Sequence, residues 1–259
     1  MNKESVDSAR SLYYGLFSKM LVFSDSQERF EGVREALEIM VSNPMEPNSG
    51  EALKELLAYM NEDGYRVLSE EFDEVFHNPE SAIVRTTASF YDEGVESGKK
   101  RLEVKNFLGK TKIRRDEINF KDSEDSVGFL MTFMHELTEL VISGDSSYAA
   151  IEHCLFDEVI NSLLDMFIPS LYENKSAEAY KSLAIVMNAF LEFERLYFDV
   201  AKPKPIELVE RKVQDCEPIS DEEAKRRAKN RSKRSADALA QGRTLDDSSF
   251  EDEVGVSDM

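Results

Sequence analysis

Several short runs in this chain hold residue types that could do chemistry. His135-Glu136-Leu137-Thr138-Glu139 carries the first histidine and the glutamate of a helical zinc-protease motif. In that motif two histidines four residues apart hold the metal and the glutamate acts as base. Here Glu139 stands in the second histidine's place, and the chain has 3 histidines in all, so three ligands within reach of one zinc are not supplied. Glu152 and His153 are adjacent and cannot form the Glu-x-x-His pair with which helical bundles hold paired metals. Gly109-Lys110-Thr111 ends like a phosphate loop, but the glycine needed five positions earlier is Val104, and the preceding spacing is helical. Gly94 to Lys100 fails as well, with Lys100 where serine or threonine is required. The chain therefore reads as a non-enzyme without a metal or cofactor.

Recognition without bond-making is the better prospect, and it centres on Asp125 to Met134, which read DSVGFLMTFM. A carboxylate at a helix start either caps the helix or meets a partner's guanidinium. Both roles suit Asp125, with Ser123 as the alternative cap. Phe129 and Phe133 follow at helical spacing, and Phe90 and Tyr91 lie on an earlier segment. Aromatic residues so spaced most often form core; Tyr91 has the strongest claim to more, because a buried hydroxyl requires a partner. Lys112-Ile113-Arg114-Arg115 contains an arginine pair of the type that opens an export signal. It lies mid-chain with no apolar run after it, and reads as a basic loop.

The elements that must position these residues are helices. Val6, Ala9, Tyr13, Leu16 and Met20 recur at intervals of three and four, as do Phe30, Val33, Leu37, Met40 and then Leu53, Leu56, Leu57, Met60. Asp25 with Glu28 marks the start of the second helix, and residues 43–50 read as a loop. Further helices are expected near 69–77, 81–95, 99–109, 125–143, 147–168 and 176–199, punctuated by Pro79 and Pro169. No stretch alternates with period two, so no sheet is assigned. The expected fold is all-α, a single-domain helical bundle of about nine to ten helices over residues 1–201.

The net charge of −20 falls almost wholly on that body, which carries −18 over residues 1–201. Such a field repels nucleic acid and anionic lipid and favours a cationic partner. With 41% hydrophobic residues and 16 Phe the chain can bury a large core. Cys154 and Cys216 do not suggest a disulfide framework. Neither a secretory signal nor an apolar run of membrane-spanning length is found, so a cytoplasmic protein is expected. After Lys202-Pro203-Lys204-Pro205 the composition turns polar, and residues 202–259 read as a charged, mostly disordered tail. Within it residues 225–234 hold seven basic side chains, and a short exposed helix over 221–240 can form.

Taken in order, these elements resemble the TorD-like family of cytoplasmic molybdoenzyme maturation chaperones. The similarity is carried by Ala9-Arg10 through Phe17, Val75-Phe76 with His77-Asn78-Pro79, Ser89-Phe90-Tyr91, the Leu102–Gly109 helix and the Asp125 helix, across roughly residues 5–200. Two departures stand out: Ser126 replaces the family's histidine after the aspartate, and the proline that precedes the aspartate is missing. The resemblance implies a chaperone that binds the twin-arginine signal peptide of an apo-molybdenum or tungsten oxidoreductase and holds it until cofactor insertion. It implies client contacts at Phe76, Phe90, Tyr91, Glu124, Asp125, Ser126, Phe129 and Phe133. It also implies a monomer or a helix-swapped homodimer, with residues 110–124 as hinge. The competing expectation is a helical adaptor whose basic run at 225–234 binds nucleic acid or a ribosomal partner.

Overall fold

The computed structural model describes residues 3–24, 30–60, 64–117 and 120–204. Expectations for Asp25 and Glu28, for the disordered tail and for a helix over 221–240 lie outside the described residues, as does the basic run on which the adaptor reading rests. Met1–Lys204 form one compact unit. Its described residues hold α1 (Lys3–Leu21), α2 (Val33–Ser42), α3 (Pro47–Tyr59), α4 (Gly64–Phe76), α5 (Ala88–Glu93), α6 (Lys99–Gly109), α7 (Val127–Ile142), α8 (Ala149–Leu155), α9 (Asn161–Glu173) and α10 (Ala179–Phe198). A π-turn at Phe156–Ile160 joins α8 to α9. None of these helices is long and apolar enough to cross a membrane.

α7 is the central helix. Val127, Phe129, Leu130, Met131, Phe133, Met134 and Leu137 are all buried, so it is apolar round most of its circumference. It packs most extensively on α1. The approach is close at Gly128, where an added Cβ would lie 2.5 Å from the Leu21 carbonyl oxygen. The His135–Glu139 run belongs to this contact. The Nδ1 of His135 lies 3.0 Å from both the carbonyl oxygen and Oγ of Ser11, and that hydroxyl also donates to Glu139. These side chains tie α7 to α1.

The same helices share a buried ionic cluster. Arg10 of α1 grips both carboxylate oxygens of Glu194 on α10, at 2.6 and 2.9 Å, and reaches Glu152 of α8 at 2.9 Å. Tyr14 donates to Glu194 (2.6 Å) and Thr138 to Glu152 (2.6 Å). The ring of Tyr197 lies 3.9 Å from the guanidinium carbon, and its hydroxyl donates to Asp7 at 2.7 Å. Burial pushes the Glu194 carboxyl above its ordinary value, and the Arg10 hydrogen bond offsets this only in part.

Four boundaries differ from the sequence expectation. The loop expected over 43–50 ends early, because α3 starts at Pro47, a residue suited to the first turn of a helix. Residues 81–87 are not helical; this stretch is extended because its backbone pairs across the chain rather than with itself. Val84 N–H donates to the Val75 carbonyl (2.9 Å), and Val127 N–H donates to that of Thr86 (2.8 Å). Val84, Thr86 and Thr87 are β-branched and suit this conformation. The outcome is one isolated antiparallel bridge, Thr87 to Ser126, and no sheet among the described residues. α4 begins at Gly64 rather than near 69. Pro169 does not end a helix but lies within α9, close to its C-terminus, where its missing N–H removes a single bond.

The Gly128 contact makes a testable demand. Gly128→Ala should lower the free energy of unfolding by about 2–3 kcal/mol, since a methyl facing backbone atoms cannot be relieved by a rotamer change. Chemical denaturation of the variant checks this, and an unchanged midpoint would show that α1 and α7 can separate freely there.

Candidate functional site

The extended strip 83–87 forms one wall of a cleft of about 160 Å³. Leu21 and Phe23 enter it from the end of α1, Phe72, Phe76 and His77 from the end of α4, and Glu96 and Asp122 from loops. The floor is aromatic and aliphatic. His77 stands edge-on to Phe23 at 5.1 Å, with Nδ1 3.3 Å from Asp73. The rim carries two carboxylates and one guanidinium: Glu96 accepts from the Thr87 hydroxyl (2.5 Å) and pairs with Arg85 at 3.7 Å, while Asp122 accepts from Phe23 N–H (3.1 Å). Small-molecule sites usually enclose roughly 300 Å³ or more. This cleft is too small for a cofactor and has room for one large side chain.

The wall is held from behind by residues 123–126. Asp125 has no solvent exposure. Its Oδ2 accepts from the backbone N–H of Ser89 (3.0 Å) and from the Ser89 hydroxyl (2.6 Å), and Oδ1 accepts from the Ser123 hydroxyl. Its carbonyl accepts from Ala88 N–H at 2.9 Å. Asp125 is thus a strut joining α5 to the head of α7. The cap of α7 is Ser126, whose hydroxyl oxygen accepts from Phe129 N–H at 3.2 Å, and neither Asp125 nor Ser123 takes that position.

Glu124, also buried, receives two arginines. Arg101 Nε lies 2.6 Å from Oε2, and Arg115 Nη1 lies 3.1 Å from Oε1. Burial pushes this carboxyl up, but the Arg101 hydrogen bond and the charges of Arg101 and Arg115 outweigh it and hold it below its ordinary value. A carboxyl depressed by folding contributes stability above its unfolded value, and that contribution is lost as pH falls.

The remaining residues named from the sequence are dispersed. Phe76 lines the cleft, stacked on Phe167 at 6.4 Å. Phe90 is half-buried under the Arg85 guanidinium at 5.1 Å. Tyr91 lines a separate, much smaller depression with Lys100 and Met166; burial raises its hydroxyl pKa, and a hydrogen bond with Ser170 opposes this. Phe129 and Phe133 are core residues, with Phe129 edge-on to Phe120 at 5.2 Å. Sequence reasoning missed Phe23, Glu96, Arg101, Arg115 and Asp122. Only Arg115 carried a local signal, the charged pair at 114–115. Among the described residues no three His, Cys, Asp or Glu side chains come together to hold a metal.

The model of the nitrate reductase delta subunit family matches residues 42–171, which include the extended strip, the two arginines and all of α7. A solved chain from Archaeoglobus fulgidus, provisionally described as a redox enzyme maturation protein, is 17% identical; the match covers 70% of this chain and 93% of that one, with a TM-score of 0.47. No curated protein matches the chain.

Two measurements test this site. Asp125→Ala should cost about 2–3 kcal/mol of unfolding free energy, because the Ser89 N–H and hydroxyl lose their acceptor inside the protein. The stability difference between wild type and Glu124→Gln should shrink steadily as pH is lowered through the carboxylate range. A difference independent of pH would mean that the two arginines are not paired with an ionised Glu124.

Proposed function

The chain belongs to the nitrate reductase delta subunit family, whose model spans half of it, and on that footing we propose that it is a maturation chaperone for a molybdenum or tungsten oxidoreductase. Its task is to bind the twin-arginine leader of the apoenzyme in the cytoplasm and hold it until the cofactor is inserted, before export. No bond is made or broken in this work, and the protein acts as a binder rather than an enzyme.

The observation that carries the reading is a cleft floored by aromatic and aliphatic side chains with two carboxylates at its rim. A leader of this kind has a cationic start and an apolar stretch. Leu21, Phe23, Phe72, Phe76 and Val84 offer a floor for one apolar side chain, while Glu96 and Asp122 at the rim face the cationic part. Asp125 and Ser126 act by fixing the wall, and Phe129 and Phe133 by supporting the head of α7. The net charge of −20 draws a basic segment toward the surface at long range.

Co-purification of the full chain from its native host should bring down a precursor oxidoreductase that still carries its arginine-pair leader. Thr86→Trp, which puts an indole into the cleft, should weaken binding of a synthetic leader peptide about tenfold or more while leaving the thermal unfolding midpoint within a few degrees. Recovery of mature enzyme without its leader, or undiminished peptide binding by the variant, would overturn this assignment of the cleft.

A further inference from the structure

Glu124 already behaves as a receptor for an arginine pair, and the arginines it receives are the chain's own. Arg101 and Arg115 approach its two oxygens separately, one guanidinium to each. The two are anchored differently. Arg101 belongs to α6; its N–H is accepted by the Ser89 hydroxyl oxygen (3.3 Å), and its Nη1 donates to Ser97 Oγ (2.9 Å). Through Ser89 it is tied to Asp125. Arg115 belongs to no helix. Its other contacts are to main-chain carbonyls a few residues ahead in the same loop: Nε and Nη2 to Phe120 at 3.1 and 2.9 Å, and Nη2 to Lys121 at 3.3 Å.

One carboxylate oxygen and two carbonyl oxygens therefore surround a fork-shaped space that a guanidinium fills with three of its nitrogens. An ammonium, a compact point charge, lacks the planar fork that matches this arrangement. Asp122, two residues along the chain from Glu124, lines the cleft.

We propose that Glu124, with the Phe120 and Lys121 carbonyls, is a guanidinium-binding site whose resident occupant is Arg115, and that an arginine of an incoming leader takes the place of Arg115. The inference rests on the client reading above. Exchange trades one charge-assisted bond for another of the same kind, so a guanidinium enters with little net cost, whereas a lysine lacks the fork that spans carboxylate and carbonyls together. Arg101 stays in place and keeps Glu124 ionised throughout.

The test uses the full chain and two synthetic leader peptides with the same apolar stretch, one bearing Arg-Arg and the other Lys-Lys, titrated calorimetrically. Arg115→Gln vacates the site and should raise affinity for the diarginine peptide about tenfold, with a smaller gain for the dilysine peptide. Arg115→Lys keeps the charge and loses the fork, and should gain affinity to an intermediate degree. Glu124→Gln should abolish the preference between the peptides. Should both Arg115 variants keep the wild-type unfolding midpoint and bind the diarginine peptide no tighter than wild type, Arg115 is a structural strap and the proposal fails, although the client reading stands. If neither peptide binds wild type or variants, the client reading fails with it.

Discussion

A single buried carboxylate, that of Asp125, fixes how the two halves of the site meet. It accepts the Ser89 N–H, one of the donors that the start of α5 leaves unpaired within the helix, together with the Ser89 hydroxyl. Its own carbonyl accepts the N–H of Ala88, and Val127 N–H goes back to Thr86. The strip before α5 and the head of α7 are zipped by backbone and side chain together. Without that junction only the Val84–Val75 bond would hold the segment 83–87 extended, and the cleft wall would be weakened. The position of Arg101 follows as well, since its N–H hangs from the same Ser89 hydroxyl.

Arginine is the second recurring constraint. This protein is strongly acidic, yet several of its arginines are drawn inward. Arg10 is 1% exposed among Glu194, Glu152 and Asp7, and Arg195 is 5% exposed beside Asn161 and Asp165. Buried ion pairs of this sort give little net stability over an apolar core, but losing one partner strands the other charge. They specify which helices may be neighbours: α1 with α8 and α10 through Arg10, and α9 with α10 through Arg195. The acidic excess left on the surface is then free to set the long-range field.

The helical character of the body was legible in the sequence because apolar residues recur at three and four, and that rule depends only on local spacing. α6 and α7 fall close to where the spacing puts them. What escaped was whatever depends on a distant partner. Residues 81–87 hold apolar and branched side chains that fit a helix as well as a strip, and only the pairing with Val75, Asp125 and Val127 decides between them. Pro169 looked like a terminator, but proline is tolerated in a helix where few bonds remain to be lost. The capping role went to Ser126 because Asp125 was recruited by Ser89, a choice invisible at either position alone. Of the aromatic residues proposed for a groove, Phe76 reaches the cleft, while Phe129 and Phe133 serve the core. Arg101, Arg115 and Asp122 could not be assigned to the site from sequence, since charged residues are abundant and their partners are set by folding.

The size of the cleft bears on how tightly a client can be held. Burying one large apolar side chain contributes about 1.5–3 kcal/mol. Exchange of one guanidinium for another at Glu124 contributes close to nothing in net free energy, because the displaced arginine must be solvated in turn. By themselves these terms correspond to binding no tighter than millimolar. Affinity beyond that has to come from the long-range attraction of a basic segment to an acidic surface, which weakens as salt screens it. Selectivity and affinity are thereby separated. On the proposed reading the fork at Glu124 sets the preference for arginine over lysine, the cleft adds the burial of one side chain, and neither locks the client in place. If the proposed chaperone role holds, that division favours release once the cofactor is seated, since release then requires no large barrier to be overcome.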